Sequence, residues 1–225
     1  MPKQPTQVSE ETILKASWSL LEEGGIEKFS MRKLAVRLGI QAPSLYWYFK
    51  SKQDLYQRLA NQISKKIVEE YDEVGDWKSQ LTELATTVRR VLGQYPCSTQ
   101  LMMMTLPHEP DMIRFTNLML RCVESTPLQE EQKLQVVMTL MNYVFYFVLD
   151  GEQHERNVST IVKEHGGDPG EEVTNLLESM SEGDAGLFRR LFKNGLFDLM
   201  GTDSAFEFGL RVIVMGIEQV MKENE

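Results

Sequence analysis

Apolar residues recur at three- and four-residue spacing along almost the whole chain, and no series of segments shows the two-residue alternation of strands. Glycine and proline fall between these stretches rather than inside them. The pattern predicts an all-α protein. Ser9 is placed to cap a first helix running to about Leu21, with Glu10 and Glu11 at the positive end of its dipole and Gly24-Gly25 ending it. Ser30 opens a second helix with Met31, Leu34, Ala35 and Leu38 on one face, stopped by Gly39. Pro43 suits the first turn of a very short third helix ending near Phe49. Ser51-Lys52-Gln53-Asp54 has the form of a cap for a long helix to about Glu73, and Asp76-Trp77 opens another, closed by Tyr95-Pro96. Shorter helices are expected over about 98–105 and 110–124.

Two later stretches differ in kind. From Leu134 to Leu149 only Gln135, Thr139 and Asn142 are polar, and the final helix, about 203–222, is nearly as apolar around Phe206, Phe208, Leu210, Val212, Ile213, Val214 and Ile217. A helix apolar on nearly all sides must be covered on nearly all sides. Packing both helices against their copies in a homodimer achieves this; a central position in a monomeric core is the alternative. Gly209 and Gly216, seven apart, fall on one face where another helix is expected to approach. Residues 151–170 (GEQHERNVSTIVKEHGGDPG) are polar and read as a loop.

The net charge of −9 argues against nucleic acid only if taken whole. Residues 1–58 hold nine Lys/Arg against six Asp/Glu, a net of +3, and the remainder 15 against 27, a net of −12. That asymmetry suits a nucleic-acid-facing end on an acidic body. The longest purely apolar run, Tyr143 to Leu149, is far short of the roughly 18 residues of a membrane span, so no membrane association is expected. Met1-Pro2-Lys3-Gln4 has no signal-peptide core, and Cys97 and Cys122 form no metal or redox motif, so the chain reads as cytoplasmic.

The segment Ser30–Lys52 has the dimensions of a helix-turn-helix, two short helices separated by Gly39-Ile40-Gln41. The second helix of such a unit enters the major groove with its N-terminal residues against base edges. Gln41 and Ser44 offer hydrogen bonds there, and Ala42 suits a thymine methyl. Tyr46, Tyr48, Lys50 and Lys52 suit phosphates, while Leu45, Trp47 and Phe49 are expected to pack inward, Trp47 sharing both roles. No phosphate-binding glycine loop, nucleophile elbow or metal-binding His/Cys spacing occurs, and an enzyme is not expected. A helical adaptor that keeps the head but binds protein is the rival reading.

The run GGIEKFSMRKLAVRLGIQAPSLYWYFKSKQDL resembles the head of the tetracycline-repressor family, AFEFGLRVIVMGIEQVMK its last helix, and VLDGEQHE the end of its preceding long helix. The resemblance implies a DNA-binding domain over 1–51 and an effector-binding and dimerisation domain over 52–225, with an intersubunit four-helix bundle. It also implies a repressor that binds palindromic double-stranded operator DNA and is released by a small molecule through movement of the long fourth helix. Arg32, Pro43, Ser44, Tyr46, Trp47 and Lys52 fall on operator-contacting positions. Met31, Gln41, Ala42 and Tyr48 depart from the tetracycline repressors, so a different operator is expected.

The resemblance also puts Met102 where those repressors hold magnesium with a histidine, and Leu106, Leu84 and Val68 at drug-binding polar positions. Asp150 alone matches, as an outer-sphere carboxylate, which cannot hold the metal unaided; a substitute role for His108 is the weaker reading. Neither metal nor other cofactor is expected. Val68, Leu84, Val88, Met102, Leu106 and Leu118 would line the cavity, with Leu134, Val137, Met138 and Met141 repeating at helical spacing beside them. Together with 13 methionines, these suggest an adaptable pocket for a hydrophobic effector. A filled cavity with no pocket is the alternative.

Overall fold

Side-chain caps open several of the helices in the computed structural model, which describes residues 8–165, 169–195, 199 and 201–223. Helix α1 (Glu10–Lys28) starts at Ser9, whose hydroxyl accepts from the Thr12 amide at 3.2 Å. Ser30 does the same for α2 (Met31–Leu38), Ser51 for α4 (Lys52–Glu70) and Asp76 for α5 (Trp77–Leu92). Each bond satisfies one of the amides that a helix start leaves without an intrahelical partner. Between them, α3 is only Ala42–Leu45, with Pro43 in its first turn. The short α6 (Ser98–Met103) leads to α7 (Pro110–Arg121), again with proline at its start. Gly39 ends α2 at φ 66, in the left-handed region that the cap needs.

Three expectations are corrected. The Gly24-Gly25 pair does not end α1; Gly25 breaks the helical backbone at φ 70, ψ 175, and the run continues to Lys28. Helix α4 stops at Glu70. Most substantially, residues 151–165 are not a loop, because α8 runs unbroken from Glu130 to His165. That segment is polar but has no proline, and its only glycine is Gly151; polarity alone does not stop a helix. Residues 166–168 lie outside the described residues. Helices α9 (Pro169–Ser179) and α10 (Glu182–Lys193) precede α11 (Asp203–Glu223), and no strand occurs among the described residues.

The chain divides between Met141 and Asn142 into two compact units. In the first, α4 packs against α1, α5, α6 and α7, burying Leu55, Leu59, Ile63 and Ile67 completely. Leu81, Leu84, Val88 and Val91 of α5 are as deeply buried, as are Ile13 and Leu21 of α1. Both cysteines lie in this unit and are buried; Cys122 approaches the Tyr71 hydroxyl at 3.5 Å, and burial pushes its thiol pKa up.

In the second unit, Tyr143 and Phe147 of α8 pack on Phe206 of α11, with ring centroids 5.5 and 5.1 Å away. The Tyr143 hydroxyl donates to the Phe206 carbonyl at 2.8 Å. Gly209 makes this possible, since a Cβ there would stand 2.4 Å from the tyrosine oxygen; Gly216 has nothing comparable near it. Of the two, Gly209 alone is required by a close neighbour in its own chain. Arg189 of α10 donates to the carbonyls of Leu177 and Met180 at 2.9 and 2.7 Å, closing the end of α9. Along α11, Phe206, Leu210, Ile217 and Met221 face inward, while Phe208, Val212 and Met215 form an exposed apolar stripe at positions i, i+4 and i+7. The part of α8 from Glu130 to Gln153 is long and apolar enough to cross a membrane by length and composition, which the count of uninterrupted apolar residues did not reveal.

Candidate nucleic-acid interface

Two buried anchors set the geometry of the turn beyond α3. Leu45 and Phe49 are almost completely buried, and both the Tyr48 and Phe49 amides donate to the Leu45 carbonyl at 3.0 Å. This pins a tight turn beyond α3 and forces the residues between the anchors outward. Tyr46 and Tyr48 are exposed, and Trp47 is 89% exposed. The inward packing expected of Leu45 and Phe49 is therefore seen, while that expected of Trp47 is not. An indole this exposed is uncommon for so large an apolar side chain.

Gln41 stands at the cap position of α3, yet its side chain makes no cap hydrogen bond and is exposed. Pro43 is exposed, and Ala42 and Ser44 are half-buried on the same turn. Arg32 is exposed at the start of α2. It borders a shallow groove of about 550 Å³ with Leu20, Ser30, Lys33, Val36 and Arg37, giving an apolar floor and a basic rim. Arg37 is paired with Glu23, whose carboxyl is held below its ordinary range by that side-chain hydrogen bond. The Tyr48 hydroxyl donates to the Val8 carbonyl, tying the segment before α1 to this turn. Lys50 is exposed, its amide donating to Asp54 Oδ2 at 2.8 Å.

Lys52 is placed differently. Its ammonium donates to the Phe29 carbonyl at 3.0 Å and lies 5.7 and 5.2 Å from the ring centroids of Phe29 and Tyr56.

Behind this surface, α4 carries polar side chains that sequence reasoning passed over. Gln53 Nε2 donates to the Met104 carbonyl at 2.7 Å. One turn on, buried Gln57 accepts from the Leu106 amide at 2.9 Å and donates to the Leu106 carbonyl at 2.7 Å and His108 Nδ1 at 2.9 Å. Another turn on, Asn61 Oδ1 accepts from the amides of Asp111 and Met112, capping α7 from outside. Arg58 pairs with Glu109 at 3.2 Å. The four-residue spacing of 53, 57 and 61 was the available signal, a polar stripe on one face of a helix.

The candidate effector residues all belong to the first unit. Leu84 and Val88 are fully buried, Val137 and Met141 nearly so, and Val68, Met102 and Leu118 half-buried. The Met102 sulfur lies 3.9 Å from the Ser64 hydroxyl. Leu106, Leu134 and Met138 turn outward, with Leu106 73% exposed because Gln57 holds its backbone rather than its side chain. Those three do not line an enclosed space within the single chain. Among the described residues no three His, Cys, Asp or Glu side chains converge as a metal site, and His108 is held by Gln57.

Residues 13–59 match the family model for bacterial regulatory proteins of the tetR family, and residues 71–221 that for the tetracyclin repressor-like C-terminal domain. The class A tetracycline repressor protein from transposon 1721 of Escherichia coli is 29% identical over 217 residues, spanning 94% of this chain and 91% of the relative. Among solved structures, TetR from Acinetobacter baumannii AYE is 25% identical with a TM-score of 0.67, over 96% of this chain and 99% of that one. The Streptomyces coelicolor TetR family protein ActR, in complex with actinorhodin, has a TM-score of 0.75 at 21% identity, over 97% and 99%.

Proposed function

The chain belongs to the bacterial tetR family of regulatory proteins, and on that premise we propose that it is a homodimeric transcriptional repressor released from its operator by an apolar small molecule. The observation that carries the DNA-reading part is the exposure around α3, with Gln41 and Pro43 exposed before the Leu45 anchor and Tyr46 and Trp47 exposed between Leu45 and Phe49. Gln41, Ser44 and Arg32 read bases, Ala42 and Pro43 make apolar contact, and Trp47 packs across the sugar–phosphate edge. Tyr46, Tyr48 and Lys50 contact phosphates. The reading domain spans 1–51, and the effector-binding and dimerisation domain 52–225.

The uncovered stripe Phe208, Val212 and Met215, with exposed Tyr146, supports the dimer. It also accounts for the membrane-like hydropathy of α8 without a membrane, as a helix bundle formed by two copies covers such faces. The apolar residues Val68, Leu84, Val88 and Met102 support a hydrophobic effector in place of a drug–magnesium chelate. The protein acts in the cytoplasm and catalyses nothing.

Selection of bound sequences from random duplex DNA tests the reading. An inverted repeat with half-sites about 34–36 Å apart is expected. No enrichment, by protein refolded from denaturant to strip any bound small molecule, overturns it.

A further inference from the structure

The carbonyl of Lys28, the last residue of α1, and that of Phe29, which follows it, receive their partners from lysines of two other helices. Lys33 of α2 donates to the Lys28 carbonyl at 2.8 Å, and Lys52 of α4 to the Phe29 carbonyl at 3.0 Å. The end of α1 has no glycine cap; the residue that follows its last turn, Phe29, is extended at φ −73, ψ 132. Helix ends leave carbonyls without intrahelical partners and carry partial negative charge, so ammonium groups suit them. Lys52 has further reasons to stay. Its charge faces the rings of Phe29 and Tyr56, both nearly fully buried and themselves 5.6 Å apart. Its stem is half-buried.

We infer that Lys52 is a positioning residue that fixes the reading head on α4, and not a phosphate ligand. The next residue, Gln53, holds the Met104 carbonyl at the end of α6. The first turn of α4 is thus fastened on one side to the junction of α1 and α2 and on the other to α6. Lys52 ties any tilt of α4 to α2 and α3 beside the Phe29–Tyr56 ring contact and the Trp18–Gln62 hydrogen bond, which hold α1 on α4 but lie farther from the reading turn. Loss of the Lys52 bond loosens the head on α4, and the base-reading side chains lose register while the phosphate-facing charges still find DNA.

The inference rests on the operator-binding reading, and the test separates the two. Wild type, Lys52→Gln, Lys52→Met and Lys50→Gln are titrated over a range of salt against the selected operator and a scrambled duplex of equal length. Failure of wild type to prefer the operator sinks the operator-binding reading itself. Given that preference, Lys50→Gln is expected to reduce the slope of log affinity against log salt by about 0.9 per subunit, the loss of one neutralised phosphate. Lys52→Gln is expected to leave that slope unchanged and to lower the ratio of specific to non-specific affinity about tenfold, the scale of one charged hydrogen bond. Lys52→Met keeps the stem between the rings and serves if the glutamine variant does not fold; the same result is expected. A slope reduced as in Lys50→Gln makes Lys52 a phosphate ligand and overturns the inference. So does an unchanged specificity ratio accompanied only by a lower melting temperature.

Discussion

At the scale of single residues, the arrangement depends on a few side chains that satisfy backbone groups far away in sequence. Gln57 is the clearest, since its one amide meets both backbone polar groups of Leu106 and a histidine nitrogen. Gln57→Leu keeps approximate volume but leaves those groups without it, and a loss of about 1–3 kcal/mol is expected in urea denaturation. Trp47 gives the opposite prediction. Trp47→Ala is expected to leave the melting temperature within a degree or two, because the indole packs on almost nothing, yet to weaken operator binding at least tenfold in a titration. Asp76 links stability to pH. The Ser79 amide, then the Ser79 hydroxyl, hold its carboxyl below the ordinary value. A depressed pKa in the folded state stabilises above the unfolded value and ceases to as pH falls through the folded one. The stability gap between wild type and Asp76→Asn is therefore expected to be constant near neutrality and to close below about pH 4, as followed by urea midpoints.

At the scale of helices, the legible and illegible parts of the fold separate along physical lines. Starts were legible because Ser9, Ser30, Ser51 and Asp76 act within three residues, and the structure uses all four as caps. Ends were less so. Gly25 looked like a terminator but only breaks the run, since whether a helix resumes depends on what its next turn packs against. The length of α8 was missed because a polar stretch was read as a loop, although the breakers gather after His165. The sequence did offer α9 and α10 in Pro169 and Ser181, starts of the same kind as those recognised earlier. Around α3, the inward packing of Leu45 and Phe49 was legible, but the outward direction of Trp47 and the inward contacts of Lys52 were not, because both follow from contacts across helices. The glycine pair of α11 shows the same limit. Gly209→Ala is expected to drive α8 and α11 apart against the Tyr143 hydroxyl and to lower the melting temperature by several degrees. Gly216→Ala meets nothing within its own chain, so any effect it has is expected in the dimerisation equilibrium, measured by sedimentation.

For the whole molecule, the outer stripe of α11 is an apolar face that the single chain leaves in water. Covering the exposed parts of Phe208, Val212 and Met215 in a dimer stabilises by about 1–2 kcal/mol each, enough to couple stability to association. The melting temperature is therefore expected to rise with protein concentration, and Met215→Glu to yield monomers in sedimentation that bind operator DNA far more weakly. The two cysteines add something of another kind. Both thiols are shut away, Cys97 at the entry to α6 and Cys122 at the exit of α7, with the second made still less reactive by its raised pKa. The native chain should ignore a thiol reagent and take up label only when it opens. Nature has thus fitted it with two clocks, one beside each end of the α6–α7 segment. Their separate ticking rates, with and without a bound effector, would time how often each end comes loose.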